Sequence, residues 1–137
     1  MSRNSISQAT KKEVANRAGN KCEYCLQSER VSYFRFHIEH IKSIKHGGNN
    51  MSDNLAYCCP DCNYYKGTDI GTFVEDSDNL VRFFNPRKDI WNEHFDLTEG
   101  LINGKTEIGK ATVKIFRFNE IERLIFRKQL IEALLYP

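Results

Sequence analysis

Two Cys-x-x-Cys pairs, Cys22–Cys25 and Cys59–Cys62, carry the clearest chemistry in the chain. Two thiolates two residues apart converge on one ion through short metal–sulfur bonds, and two such knuckles supply the four ligands of a tetrahedral zinc site. Four thiolates leave no open position for water or substrate, so this zinc is expected to be structural. The ion would tie the segment around Cys22 to the segment around Cys59, which helps a small domain that cannot rely on its core alone. Two competing readings are four buried apolar thiols and a thiol–disulfide couple; the couple lacks its usual strand-to-helix context at Cys22. Cys58, the fifth cysteine, lies beside a ligand in an expected strand and is assigned to core packing, outside the site.

A second group of residues is left over by zinc: His37, Glu39, His40, Asn54 and Asn63. A neutral imidazole, titrating near ~6.5, can take a proton from water at cellular pH. A carboxylate and an amide oxygen suit a hard cation such as Mg²⁺ or Mn²⁺. Glu39 and His40 would face opposite sides of a regular strand, so their meeting requires a strand end or a bulge. The structural alternative makes His40 a satisfied, partly buried histidine and Glu39 a solvated edge residue. His37 reads as a hydrogen-bonded structural residue, His46 as a solvated loop residue, His94 as packing with aromatic neighbours, and Trp91 and Phe95 as core.

The elements that must hold these groups follow from pattern. Thr10 and Glu13 form a capping box and Gly19 a stop, predicting a helix from about Lys11 to Ala18. "YFRFHIEHI" reads as a strand, "KHGGNN" as a loop, and "NLAYC" as a strand returning beside the first. Pro60 opens a short helix that Gly67 ends. Farther on, "GLINGKTEIG" predicts a hairpin about Asn103-Gly104, "ATVKIFRF" a strand, and Asn119 with Glu122 the start of a helix bearing Ile121, Leu124, Ile125, Ile131, Leu134 and Leu135.

The order Cys-x-x-Cys, Glu39-His40-Ile41, Gly47-Gly48, Asn54-Leu55, Cys59-x-x-Cys62-Asn63 and Lys66-Gly67 resembles the HNH endonuclease family in its zinc-stapled form. The core of the resemblance runs from about Gly19 to Ile70. The segments "FNPRKDIWNEHF" and "GKTEIGKATVKIFRFN" resemble a group of small stand-alone HNH proteins. The resemblance implies an α+β fold with a ββα-metal core, and an endonuclease that hydrolyses phosphodiester bonds in DNA. It implies His40 as general base, Glu39 and Asn63 as ligands of a catalytic Mg²⁺ or Mn²⁺, and Asn54 as the residue that steadies the loop and so orients the histidine. Many members have Asp where Glu39 stands and His where Asn63 stands; both replacements keep oxygen donors. Lys42, Lys45 and Lys66 flank the expected site and Arg82, Arg87 and Lys88 bracket Asn85-Pro86, so they are candidate phosphate contacts of low sequence specificity. The alternatives are an RNA-directed nuclease and a non-catalytic zinc module that binds nucleic acid or protein.

Composition bounds these readings. A chain of 137 residues, 40% hydrophobic and 28% charged, suits one soluble domain with one modest core. The expected organisation is a helix in residues 1–20, the HNH core in 21–70 and an α/β extension in 71–137 belonging to the same folding unit. A net charge of +2 selects no partner. Local basic faces arise from Arg3, Lys11, Lys12 and Arg17, and from Lys110, Lys114 and Arg117. No apolar run is long enough to span a bilayer and the first residues lack the apolar centre of a secretory signal, so a cytoplasmic protein with no membrane partner is expected.

Overall fold

The computed structural model describes residues 5–137 and centres on a two-stranded antiparallel ribbon; Arg3, counted among the basic residues, lies outside the described residues. β1 (His37–His40) pairs with β2 (Leu55–Cys58), with His37 opposite Cys58 and His40 opposite Leu55. The strand expected over Tyr33–Ile41 keeps only its C-terminal part. Its earlier amides are taken elsewhere: Phe34 N–H donates to Ser32 Oγ (3.1 Å) and Phe36 N–H to Glu29 Oε2 (2.8 Å). α2 (Pro60–Lys66) follows at once, opened by Pro60 and ended at Gly67, whose φ is +52°. These three elements form the ββα unit. α1 (Gln8–Arg17) buries Val14 and starts earlier than expected, because Ser7 Oγ accepts from Thr10 N–H (3.1 Å) and caps it ahead of the Thr10 box.

All four residues of β2 are buried, so the strand edge facing away from β1 must find internal partners. Glu23 supplies most of them. Its N–H donates to Tyr57 O (2.9 Å) and its Oε1 accepts from Tyr57 N–H (3.0 Å). Arg17 donates to Leu55 O at 2.7 Å, and Arg87 donates to the same carbonyl at 3.3 Å while pairing with Glu23 Oε2. Two arginines and one glutamate therefore stand in for a third strand.

The second half departs from several expectations. β3 (Gly71–Phe73) pairs with β4 (Leu80–Arg82), and after the single turn α3 (Trp91–His94) β5 (Phe95–Thr98) pairs with β6 (Leu101–Gly104). The last hairpin turns at Glu99-Gly100, both at positive φ, and Asn103-Gly104 lies within β6. Gly104 is needed for close approach: a Cβ there would sit 2.5 Å from Lys110 N. "ATVKIFRF" is not a strand: its first six residues complete α4 (Glu107–Phe116), which is capped by Thr106 Oγ1, accepting from Gly109 N–H (3.0 Å). Ala111, Thr112 and Phe116 fall on one helical face and are buried, so the 3.6 period wins over the apparent alternation.

α5 (Ile121–Glu132) closes the chain, preceded by Glu120. Asn119 bridges to β6 instead of capping, accepting from Ile102 N–H (2.9 Å) and donating to Ile102 O (2.8 Å). The apolar stripe expected on this helix is largely outside: Ile121, Ile125 and Leu134 are exposed, while Arg127 and Leu130 are buried. One core cluster runs through both halves, with Tyr24 and Phe83 against Phe116 and Phe84 against Phe95. Trp91 stacks 5.0 Å from Phe95 and donates to Tyr24 O (2.8 Å).

Glu23→Ala removes the partner of the buried Tyr57 amide and of Arg87 together. The expected loss is about 2–4 kcal/mol of stability, read by chemical denaturation.

Candidate functional site

The two knuckles meet. The Sγ atoms of Cys22, Cys25, Cys59 and Cys62 all lie within 4.8 Å of one another and all four side chains are buried. A tetrahedron of sulfurs around zinc has edges of about 3.8 Å, and Cys25 Sγ stands 3.7 Å from Cys59 Sγ. The donor set and its size therefore fit a metal ion. Each knuckle is folded by its own backbone, with Cys25 N–H directed to Cys22 Sγ (3.5 Å) and Cys62 N–H to Cys59 Sγ (3.4 Å). Cys58 is fully buried and outside the cluster, its thiol directed to Cys59 O at 3.4 Å.

Arg123, from α5, was not legible as part of this centre. Its Nη2 lies 3.2 Å from Cys62 Sγ and 3.9 Å from Cys59 Sγ, and its Nη1 donates to Phe116 O at 2.6 Å. Burial opposes its charge, but the thiolates of Cys62, Cys25 and Cys59 outweigh that and raise the guanidinium above its ordinary pKa. The cluster so gains a cation beside its anionic sulfurs.

Glu39 and His40 are the last two residues of β1. Both line an open cleft of about 240 Å³ with Ser43, Lys45, Asn63 and Thr68. His40 Nε2 lies 2.7 Å from Asn50 Oδ1. Asn54 clamps the loop that follows: its Oδ1 accepts from Lys42 N–H (2.9 Å) and its Nδ2 donates to Lys42 O (2.9 Å) and Asn49 O (2.8 Å). The Asn63 side chain lines the cleft and hydrogen-bonds none of the described residues.

Glu39 is no solvated edge residue. It is 5% exposed, its Oε1 accepts from Lys66 Nζ (2.7 Å) and its Oε2 from Tyr24 OH (3.1 Å). Burial raises its pKa, while Lys66 and the Tyr24 hydroxyl pull the other way. Lys66 also donates to His40 O (2.9 Å), so one ammonium holds the ends of both site residues.

The expected phosphate contacts divide. Lys42 and Lys45 are exposed beside the cleft. Lys66 is not the surface contact expected: at 2% exposure it is an internal partner of Glu39, out of reach of a phosphate backbone. Arg87 is likewise taken up by Glu23 and Leu55 O. Arg82 forms a two-pronged pair with Asp89 (2.7 and 2.9 Å) that also organises the Asn85 turn. His37 is exposed and bonds no described residue through its ring, against the structural role expected for it; His46 is an exposed loop residue, and His94 sits 6.0 Å edge-on to Phe84. A larger groove, between Gln27–Phe34 and the start of α5, carries the carboxylates of Asp61, Glu120 and Glu122, which disfavour a polyanion.

Comparison with known proteins agrees with the geometry. Residues 22–69 match the sequence model of the HNH endonuclease family, and the match covers the ββα unit with its two cysteine knuckles. Septu protein PtuB from Bacillus thuringiensis is 30% identical over 118 residues, which is 83% of this chain and 42% of that protein. The chain thus spans less than half the length of that relative. No solved structure matches it. No helix among the described residues is long and apolar enough to cross a membrane.

Lys66→Met strands the buried Glu39 carboxylate. The expected cost is about 3–5 kcal/mol in urea unfolding, and the double variant Glu39→Gln/Lys66→Met should recover most of it.

Proposed function

We propose that this protein is an endonuclease that hydrolyses phosphodiester bonds in DNA at the cleft around His40. The observation that carries the reading is the convergence of an oriented imidazole, a carboxylate and an unbonded amide on one cleft of an HNH domain. Asn50 Oδ1 only accepts, so His40 Nε2 carries the proton and donates, which leaves the lone pair on Nδ1. Nδ1 is then the atom that takes a proton from the attacking water. Asn54 keeps the loop that carries Asn50 in register with the strand end and so steadies the ring. Asn50 was not singled out from the sequence, where it looks like one more loop asparagine.

Glu39 and Asn63 are the residues that would hold a divalent cation. Each Glu39 oxygen retains a lone pair beyond its present bond, and the Asn63 amide is uncommitted. Their all-oxygen chemistry suits Mg²⁺ or Mn²⁺. When bound, such an ion stabilises charge on the phosphate and on the departing oxygen. Lys66 already neutralises Glu39, which favours a weakly held, exchangeable ion. The four-thiolate centre suits zinc in a structural role. Lys42 and Lys45 beside the cleft, and the exposed Lys88, are the candidate cations not taken up by another side chain, and so few contacts fit low sequence specificity.

The test is cleavage of supercoiled plasmid by zinc-loaded protein with Mg²⁺, Mn²⁺ or EDTA. Cation-dependent scission is expected, and His40→Ala should lower it by about 10²–10⁴-fold without changing metal content or folding. Scission that persists in His40→Ala would remove the imidazole from the mechanism. Binding of DNA without scission would favour the non-catalytic module, and scission of RNA alone the RNA-directed enzyme. Asn50→Ala should lower the rate about tenfold or more with little change in substrate affinity, since it frees the ring but touches no phosphate.

A further inference from the structure

Among the described residues, Ser43 Oγ is the buried side-chain polar atom with no hydrogen-bond partner. The other buried groups around the cleft are satisfied: both Glu39 oxygens, the Lys66 ammonium and the Tyr24 hydroxyl. A buried hydroxyl left without a partner costs stability that alanine would not. Ser43 nevertheless stands at 5% exposure, three residues after His40, and lines the same cleft as His40, Asn63 and Lys45.

Its backbone gives it little freedom to escape. Ser43 O accepts from His46 N–H (3.0 Å) and Gly48 N–H (2.9 Å), and the preceding residue, Lys42, is clamped at both its N–H and its carbonyl by Asn54. Gly48 permits this closure, because a Cβ there would sit 1.7 Å from Lys42 O. The residue is therefore held in the cleft wall with its hydroxyl covered, and rotation about its own Cα–Cβ bond is the movement that would turn the hydroxyl into the cleft.

The surrounding charge selects what it meets. Glu39 is neutralised by Lys66, and the turn bearing Ser43 carries Lys42, Lys45 and His46, all exposed, with no acid from Lys42 to His46. An anionic oxygen is the acceptor such a wall favours.

We propose that the Ser43 hydroxyl donates a hydrogen bond to a non-bridging oxygen of the phosphodiester, with Lys45 beside it, which makes the Lys42–His46 turn the phosphate seat of the cleft. The proposal rests on the nuclease reading for its substrate but concerns binding, so it is tested apart from cleavage. The experiment compares wild type with Ser43→Ala by fluorescence anisotropy of a short labelled DNA duplex and its RNA counterpart in EDTA. Melting temperature and plasmid cleavage rate are measured alongside.

Expected are about tenfold weaker duplex binding and a cleavage rate lowered at least as much, together with an unchanged or higher melting temperature. Equal binding and equal cleavage in the two proteins would overturn the proposal. So would a lower melting temperature in Ser43→Ala with binding unchanged, because the hydroxyl would then serve the fold through a buried water. Wild-type binding that Ser43→Ala loses, with no cleavage by either protein, would keep the phosphate seat and discard the nuclease. Failure of wild type to bind either duplex would discard both.

Discussion

Four cysteine sulfurs within 4.8 Å of one another set the geometry on which the rest of this molecule depends. The residues between and just after them belong to the site as much as to the metal centre. Glu23 and Tyr24 lie inside the first knuckle; one closes the outer edge of β2 and the other hydrogen-bonds the Glu39 carboxylate. The second knuckle opens α2, whose next turn carries Asn63 and whose last residue is Lys66. Fixing the sulfurs therefore fixes the strand pair from one side and the helix from the other. Arg123 extends that tie to the far end of the chain through Cys62 and Cys59.

A second constraint is electrostatic. Glu39 and Lys66 form an ion pair shielded from water, and removing two charges from water is tolerated only because Tyr24 and His40 O satisfy them further. The pair leaves the cleft close to neutral at its floor and positive at its rim, where Lys42 and Lys45 are exposed. That distribution suits a phosphate approaching from solvent. It also explains why a lysine that reads as a surface contact in sequence is internal: its partner is 27 positions away in the chain and invisible to local pattern.

Much of the ββα unit was legible in the sequence. The paired knuckles, Pro60 and Gly67 around α2, and the short strand ending in Cys58 are local signals, and local physics decides them. The failures lie where packing overrules local pattern. Ala111 to Phe118 alternates well enough for a strand, yet Thr106 caps α4 and a buried face at helical spacing carries the helix through to Phe116. Asn103-Gly104 looks like a turn, yet its glycine serves close contact with α4. In the site, His40, Asn54, Asn63 and the cysteines were named from motif, whereas Asn50, Tyr24 and Arg123 act through contacts between distant segments. The unpartnered hydroxyl of Ser43 is of the same kind, since burial without a partner is a property only of the folded chain.

We propose hydrolysis by water activated at His40, and the fate of the water oxygen tests it most directly. Cleavage in H₂¹⁸O, followed by mass spectrometry of the product ends, should place one ¹⁸O on the newly formed terminal phosphate. An unlabelled terminal phosphate would contradict it, because the P–O bond would then not have been broken by attack of water on phosphorus.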